Sequence, residues 1–212
     1  MIVTVPDSPR NVANNPAVTS TNKIGIVFDA GFSDGGLPVL DYRISWDQGT
    51  GQWVVRQEGL STLSYSAASV QMGTVYSFRV EARNAYGYSS FSSEVSILAA
   101  SVPSQPSAPT TYVSGSDVVI QWSEPSTNGS PIESYTITIR QSNGSTYTEQ
   151  TTYCSGSNAV VLASRTCTVP ISVLNQSPYN LSTGYSVYAK VVATNGIGNS
   201  SSSSAGNGAV LT

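Results

Sequence analysis

Gly73-Thr74-Val75-Tyr76-Ser77-Phe78-Arg79-Val80-Glu81-Ala82-Arg83-Asn84-Ala85-Tyr86-Gly87 decides the fold, because the chain contains a version of it twice. From Tyr185 the sequence reads Tyr-Ser-Val-Tyr-Ala-Lys-Val-Val-Ala-Thr-Asn-Gly-Ile-Gly, which lays Val80, Ala82, Asn84 and Gly87 over Val191, Ala193, Asn195 and Gly198. Each copy alternates inward and outward side chains for about eight residues, the period of a half-buried strand. Each then stops at Asn and Gly, which tolerate positive φ in a turn. The chain is therefore two versions of one β unit.

Outward from that repeat, Val5-Pro6-Asp7-Ser8-Pro9 recurs as Val102-Pro103-Ser104-Gln105-Pro106. Proline cannot donate to a strand ladder and is confined to edges and strand starts, so both copies mark the approach to a first edge strand. The expected division is 1–100 and 101–212, two units of about the length that buries a modest core. Strands are expected over 23–28, 39–46, 52–57 and 63–67 in unit 1, and over 117–122 and 132–140 in unit 2. Pro38 falls over Pro131 and Tyr42 over Tyr135 at a constant offset of 93. At the repeated stretch the offset is 111, so about 18 residues have been added between, split between 154–165 and 175–180.

Cys154 and Cys167, the two cysteines of the chain, flank the first insertion. They are either two buried thiols or a disulfide closing the inserted loop. Their placement around an insertion that unit 1 lacks favours the bridge, which would place the protein outside the reducing cytosol.

Composition limits the chemistry. Charged residues are 10% and the net charge is -3, with no basic run, so nucleic acid is not an expected partner. The chain has no histidine, which removes the usual general base, the commonest zinc ligand and every Ser-His or Cys-His dyad. With no convincing carboxylate pair, the expectation is a non-enzyme without cofactor. No apolar run approaches the roughly 20 residues that span a bilayer, so this segment is not expected to insert in a membrane. Met1-Ile2-Val3-Thr4-Val5 lacks the regions of a signal peptide; the expectation is a segment of something longer.

These residues resemble a tandem pair of fibronectin type III domains. Trp122 matches the family's core tryptophan on strand B, which unit 1 replaces with Phe28; Tyr42 and Tyr135 match its strand C tyrosine, and Tyr76 stands at the tyrosine-corner position. Unit 2 departs there with Val187, leaving Tyr185 or Tyr188 to supply the hydroxyl. The run from Cys167 to Val210 is also similar to repeats in very large surface proteins of ciliates and other protists. The resemblance implies an all-β fold of two Ig-like, seven-stranded antiparallel sandwiches in tandem, used as spacers, adhesion modules or scaffolds. The family's Arg-Gly-Asp tripeptide is absent.

The expectation is then a structural or adhesive segment of a long extracellular, multi-repeat protein at the cell surface. Its partners would be other domains or copies of itself, assembled into a filament or sheath. The alternative is a spacer or accessory pair in a secreted carbohydrate-active enzyme, and a third reading is an intracellular scaffold with free cysteines. Asn128, Asn143, Asn175, Asn180 and Asn199 each begin an Asn-X-Ser acceptor for N-linked glycans, the turn 175–181 foremost; abundant Ser and Thr also produce such triplets by chance. Asp29, Asp34, Asp41 and Asp47 read as solvated turn carboxylates rather than a calcium site. Trp46, Trp53, Tyr86, Tyr88 and Phe91 read as cross-strand packing before a carbohydrate or protein contact. The serine run 200–204 reads as a flexible turn or strand edge.

Overall fold

A computed structural model describes residues 3–212; Met1 and Ile2 lie outside the described residues. The chain divides into two compact units, 1–101 and 102–212.

In unit 1, seven antiparallel strands form two sheets. Strands β1 (Arg10–Asn14), β2 (Lys23–Asp29) and β5 (Ser64–Ala68) pair in the order β1-β2-β5. Strands β3 (Asp41–Trp46), β4 (Val54–Leu60), β6 (Val75–Arg83) and β7 (Val95–Leu98) pair in the order β4-β3-β6-β7. Proline explains two strand starts: β3 begins three residues after Pro38, and β1 follows Pro9 as an edge strand paired to β2 alone. Alternation sends Ile24, Ile26 and Phe28 from one sheet to meet Ile44, Phe78 and Val80 from the other, all 3% exposed or less. Full burial of such a side chain stabilises by about 1.5–3 kcal/mol.

Unit 2 repeats the plan. Strands β8 (Thr110–Ser114), β9 (Asp117–Gln121) and β12 (Thr166–Pro170) form one sheet in the order β12-β9-β8. The facing sheet runs β11-β10-β14-β15, from β10 (Ile132–Arg140), β11 (Tyr147–Glu149), β14 (Ala189–Asn195) and β15 (Gly198–Asn199). Its last two strands are interrupted: β13 (Ser186–Val187) leads through Tyr188 into β14 and pairs with β16 (Ala209–Val210). Both units are thus Ig-like sandwiches, and a large core ring sits alike in each. Phe28 meets Tyr42 edge-on at 5.1 Å and 68°, and Trp122 meets Tyr135 edge-on at 5.3 Å and 68°.

Two features depart from the sequence expectation. The clean alternation expected of the repeated stretch holds in β14, but in β6 the outward Ser77 and Glu81 are also buried, 7% and 5% exposed. The added residues of unit 2 are also not plain loop: they contain α1 (Ala159–Ser164) and lead into and out of α2 (Ile171–Leu174). Helix α1 starts because Asn158 caps it, its Oδ1 accepting from the Val160 and Val161 N–H groups, and stops at Arg165, whose φ is 53°. Val161 and Leu162 pack onto the unit 2 core, and Leu174 of α2 is fully buried in it.

Candidate interaction surfaces

The end of the repeated stretch organises the loops in both units. The Asn84 Nδ2 donates to Thr4 O and Asp34 O, both at 2.8 Å, while its Oδ1 accepts from the Tyr86 and Gly87 N–H groups. Asn195 does the same at its own position, donating to Thr127 O and Ser130 O and accepting from Ile197 and Gly198. Each buried amide ties the β2–β3 or β9–β10 loop to the turn that follows the repeat.

Beyond that turn the returning chain is held by serine. Ser89 and Ser92 hydroxyls accept from the Ala82 and Val80 N–H groups, and Ser200 and Ser203 accept from Ala193 and Val191, each at 2.9 or 3.0 Å. The serine run 200–204 is therefore no flexible turn: Ser200 and Ser203 are 8% and 3% exposed and complete a ladder that the backbone alone leaves open. The signal was present as Gly-X-Ser-X-X-Ser, at Gly87, Ser89 and Ser92 and again at Gly198, Ser200 and Ser203.

The outer face of the unit 1 sheet β4-β3-β6-β7 carries charges and rings in register. Asp41 lies opposite Arg83 and Arg43 opposite Glu81 across the β3–β6 ladder, and both pairs form ion pairs, Arg43 to Glu81 at 2.8 Å. The Glu81 hydrogen bond raises the Arg43 pKa above its ordinary value. Aromatic rings cover these cations: Tyr88 lies 3.8 Å from Arg43, while Arg79 sits 4.1 Å from the Trp53 ring and 3.8 Å from Phe91. The Arg79 Nε is buried with no hydrogen-bond partner among the described residues, and its guanidinium gains instead from the two rings it lies over. Of the five aromatics singled out in the sequence, Trp53, Tyr88 and Phe91 pack on this face, Trp46 stacks on Tyr76 at 5.3 Å, and Tyr86 is 67% exposed.

The Asp29, Asp34, Asp41 and Asp47 carboxylates serve separate partners. Asp29 accepts from Asn11, Asp34 from Gly36 N–H, Asp41 from Arg83, and Asp47 from Gly49 and Ser77 N–H. Among the described residues no group of three or more His, Cys, Asp or Glu could hold a metal ion.

In unit 2, Cys154 and Cys167 form a disulfide across 13 residues. It is buried, with the cysteines 1% and 4% exposed, and ties the insertion to β12. A Cβ on Gly156 would fall 1.8 Å from Tyr135 O, so the inserted chain lies directly on β10 where only glycine fits. The corner hydroxyl of unit 1 is in place: Tyr76 Oη accepts from the Gln71 N–H at 2.9 Å. Neither Tyr185 nor Tyr188 replaces it in unit 2; Tyr185 is 43% exposed and Tyr188 stacks under Arg140 at 4.0 Å. The buried hydroxyl there belongs to Tyr179 in the insertion, which donates to Glu149 O at 3.2 Å and whose pKa is raised by burial.

The five Asn-X-Ser acceptors separate by geometry. Asn128 donates to Val102 O and Ser104 Oγ, and its Ser130 is 5% exposed. Asn175, with its amide turned to donate, bonds to Ile171 O and Leu181 O. Asn180 has φ 52° and donates to Pro178 O. Asn143 stands exposed in the β10–β11 hairpin turn, and Asn199 is exposed with its Nδ2 unbonded among the described residues.

No protein-family model matches this chain. Among solved structures, the FN1–FN3 domains of chicken CNTN1 align at 15% identity and a TM-score of 0.41, covering 97% of this chain and 67% of that one. A titin kinase with its flanking domains aligns at 18% identity and 0.42, covering 57% of this chain and 28% of that one.

Proposed function

We propose that this chain is a non-catalytic structural and adhesive segment of a long extracellular protein, made to hold distance and to contact other domains or copies of itself. The disulfide Cys154–Cys167 carries the reading, since such a bond persists in oxidising compartments. Two further observations support it. The edge strand β4 presents Val54 and Val55, 41% and 49% exposed, a surface on which a neighbouring chain can pair in a filament or sheath. Asn199, exposed in β15, and Asn143, exposed in the β10–β11 turn, offer positions where a glycan displaces no core hydrogen bond; at Asn143 it replaces only the surface bond from Nδ2 to Thr146 Oγ1.

The test is intact mass of the chain secreted from eukaryotic cells, before and after reduction and deglycosylation. The expected result is one disulfide and glycans at Asn143 or Asn199, lost in Asn143→Gln and Asn199→Gln. Free thiols in the secreted chain, or failure of secretion with full folding in the cytosol, overturn the extracellular assignment.

A further inference from the structure

The loop between β2 and β3 in unit 1 holds a phenylalanine out in water on a rigid mount. Phe32 is 83% exposed, and the residues on both sides of it are fastened to the segment before β1. Upstream, Ala30 O accepts from Arg10 Nε at 3.1 Å. Downstream, Ser33 O accepts from the Asp7 N–H at 2.9 Å while the Ser33 N–H donates to Asp7 Oδ2 at 3.1 Å. Between them, a Cβ on Gly31 would stand 2.4 Å from Asp7 O, so only glycine lets the two segments meet. The Arg10 guanidinium then lies 3.7 Å over one face of the Phe32 ring.

This mount leaves specific groups unspent. Arg10 uses Nε and one face of its plane, so Nη1 and Nη2 have no protein partner among the described residues. Asp7 uses Oδ2, and Oδ1 is free in the same sense. Both border a cleft of about 540 Å³, completed by Thr4, Val5, Pro6, Ser8 and Ser90, a size within the range of small-ligand sites, about 300–1,000 Å³. An exposed phenylalanine gives up the stabilisation that burial would supply, and here the bonds on both sides of it hold the loop outward.

We propose that this cleft binds a neutral saccharide, whose apolar ring face covers the open face of Phe32 while adjacent hydroxyls meet the Arg10 fork and Asp7 Oδ1. The opposite charges of Arg10 and Asp7 disfavour an anionic ligand, because a carboxylate gained by Arg10 would face Asp7. Hydroxyl groups, each both donor and acceptor, satisfy the two together. A protein anchor would be expected in a pocket of apolar walls, whereas Val5 and Pro6 are the cleft's apolar residues besides Phe32, and Thr4, Asp7, Ser8, Arg10 and Ser90 make the rest of the wall polar or charged. The site belongs to unit 1 alone: the corresponding loop Ser123-Glu124-Pro125-Ser126 has no aromatic residue, and Ser107 follows Pro106 where Arg10 follows Pro9.

The experiment is a glycan array of neutral and acidic saccharides probed with the full chain, followed by saturation-transfer NMR on the retained sugars. The expected result is retention of neutral saccharides at millimolar affinity or better. Phe32→Ala and Arg10→Gln should each weaken binding about tenfold or more, Phe32→Ala without changing the melting temperature, and Val160→Ala on unit 2 should leave binding intact. Retention of no neutral saccharide, retention of acidic glycans alone, or wild-type binding by Phe32→Ala overturns the proposal. None of these outcomes depends on where in the cell the chain resides.

Discussion

Units 1 and 2 bury the same ring pair and the same asparagine, yet they secure the rest by different means. Unit 1 clamps its outer face with ion pairs and rings, joining Arg43 to Glu81, Arg83 to Asp41, and Arg79 to Trp53 and Phe91. On the corresponding face of unit 2, Ser134, Thr136 and Thr138 stand opposite Thr194, Val192 and Lys190. Among the described residues two cations there meet rings, Arg140 over Tyr188 and Lys190 over Tyr147 at 4.4 Å. Unit 2 instead lays an insertion against β10 and fixes it to β12 with a disulfide. The shared layer fixes the fold, while the layer outside it is where each unit is specialised.

The shared layer breaks hardest. Phe28→Ala in unit 1 and Trp122→Ala in unit 2 should each cost about 3–5 kcal/mol, the usual penalty for emptying a large aromatic site, because both rings pack edge-on against a buried tyrosine. Chemical denaturation of each variant checks this. Equal losses support equivalent cores, and a loss under about 1 kcal/mol in one unit would falsify the equivalence. Next in size is the disulfide. Cys154→Ser with Cys167→Ser should cost unit 2 about 3 kcal/mol by the entropy of a closed loop of this size and leave unit 1 unmoved. Calorimetry with and without reductant shows which transition shifts; a shift in both would erase the distinction between the units.

What the sequence made legible follows from what is local. The repeat, the prolines and the two asparagines announce themselves by spacing, so the strands β2, β3, β9 and β10 come out within two residues of expectation. The outer face of unit 1 did not, because Arg43 and Glu81 lie 38 residues apart and become partners only when β3 and β6 take one particular register. Helix α1, at six residues, is too short to show a period and rests on the single cap Asn158. Tyr179 was hidden for a related reason: its partner Glu149 O is 30 residues away, across an insertion with no counterpart in unit 1 to align against. Phe32 has no signal of its own in the sequence, since exposure on a rigid mount is a property of its neighbours' hydrogen bonds.

The smallest expected effect separates the units by pH. Burial raises the Tyr42 pKa in unit 1, and in unit 2 it raises both Tyr135 and Tyr179, with the charge of Glu124 adding to the rise at Tyr135. In the unfolded chain a tyrosine ionises near pH 10. Above that pH the unfolded state sheds protons that the folded state retains, so folding stability, fully present below about pH 10, falls as pH rises toward the folded values. Among the described residues unit 2 holds two such hydroxyls against one in unit 1, so its stability should fall more steeply as pH rises above about 10. Tyr135→Phe should flatten that fall in unit 2 without touching unit 1, since phenylalanine keeps the ring against Trp122 and has no proton to lose. Denaturation midpoints at stepped pH read this directly. A steeper fall in unit 1, or a slope in unit 2 that Tyr135→Phe leaves unchanged, would place the difference between the units outside their buried tyrosines.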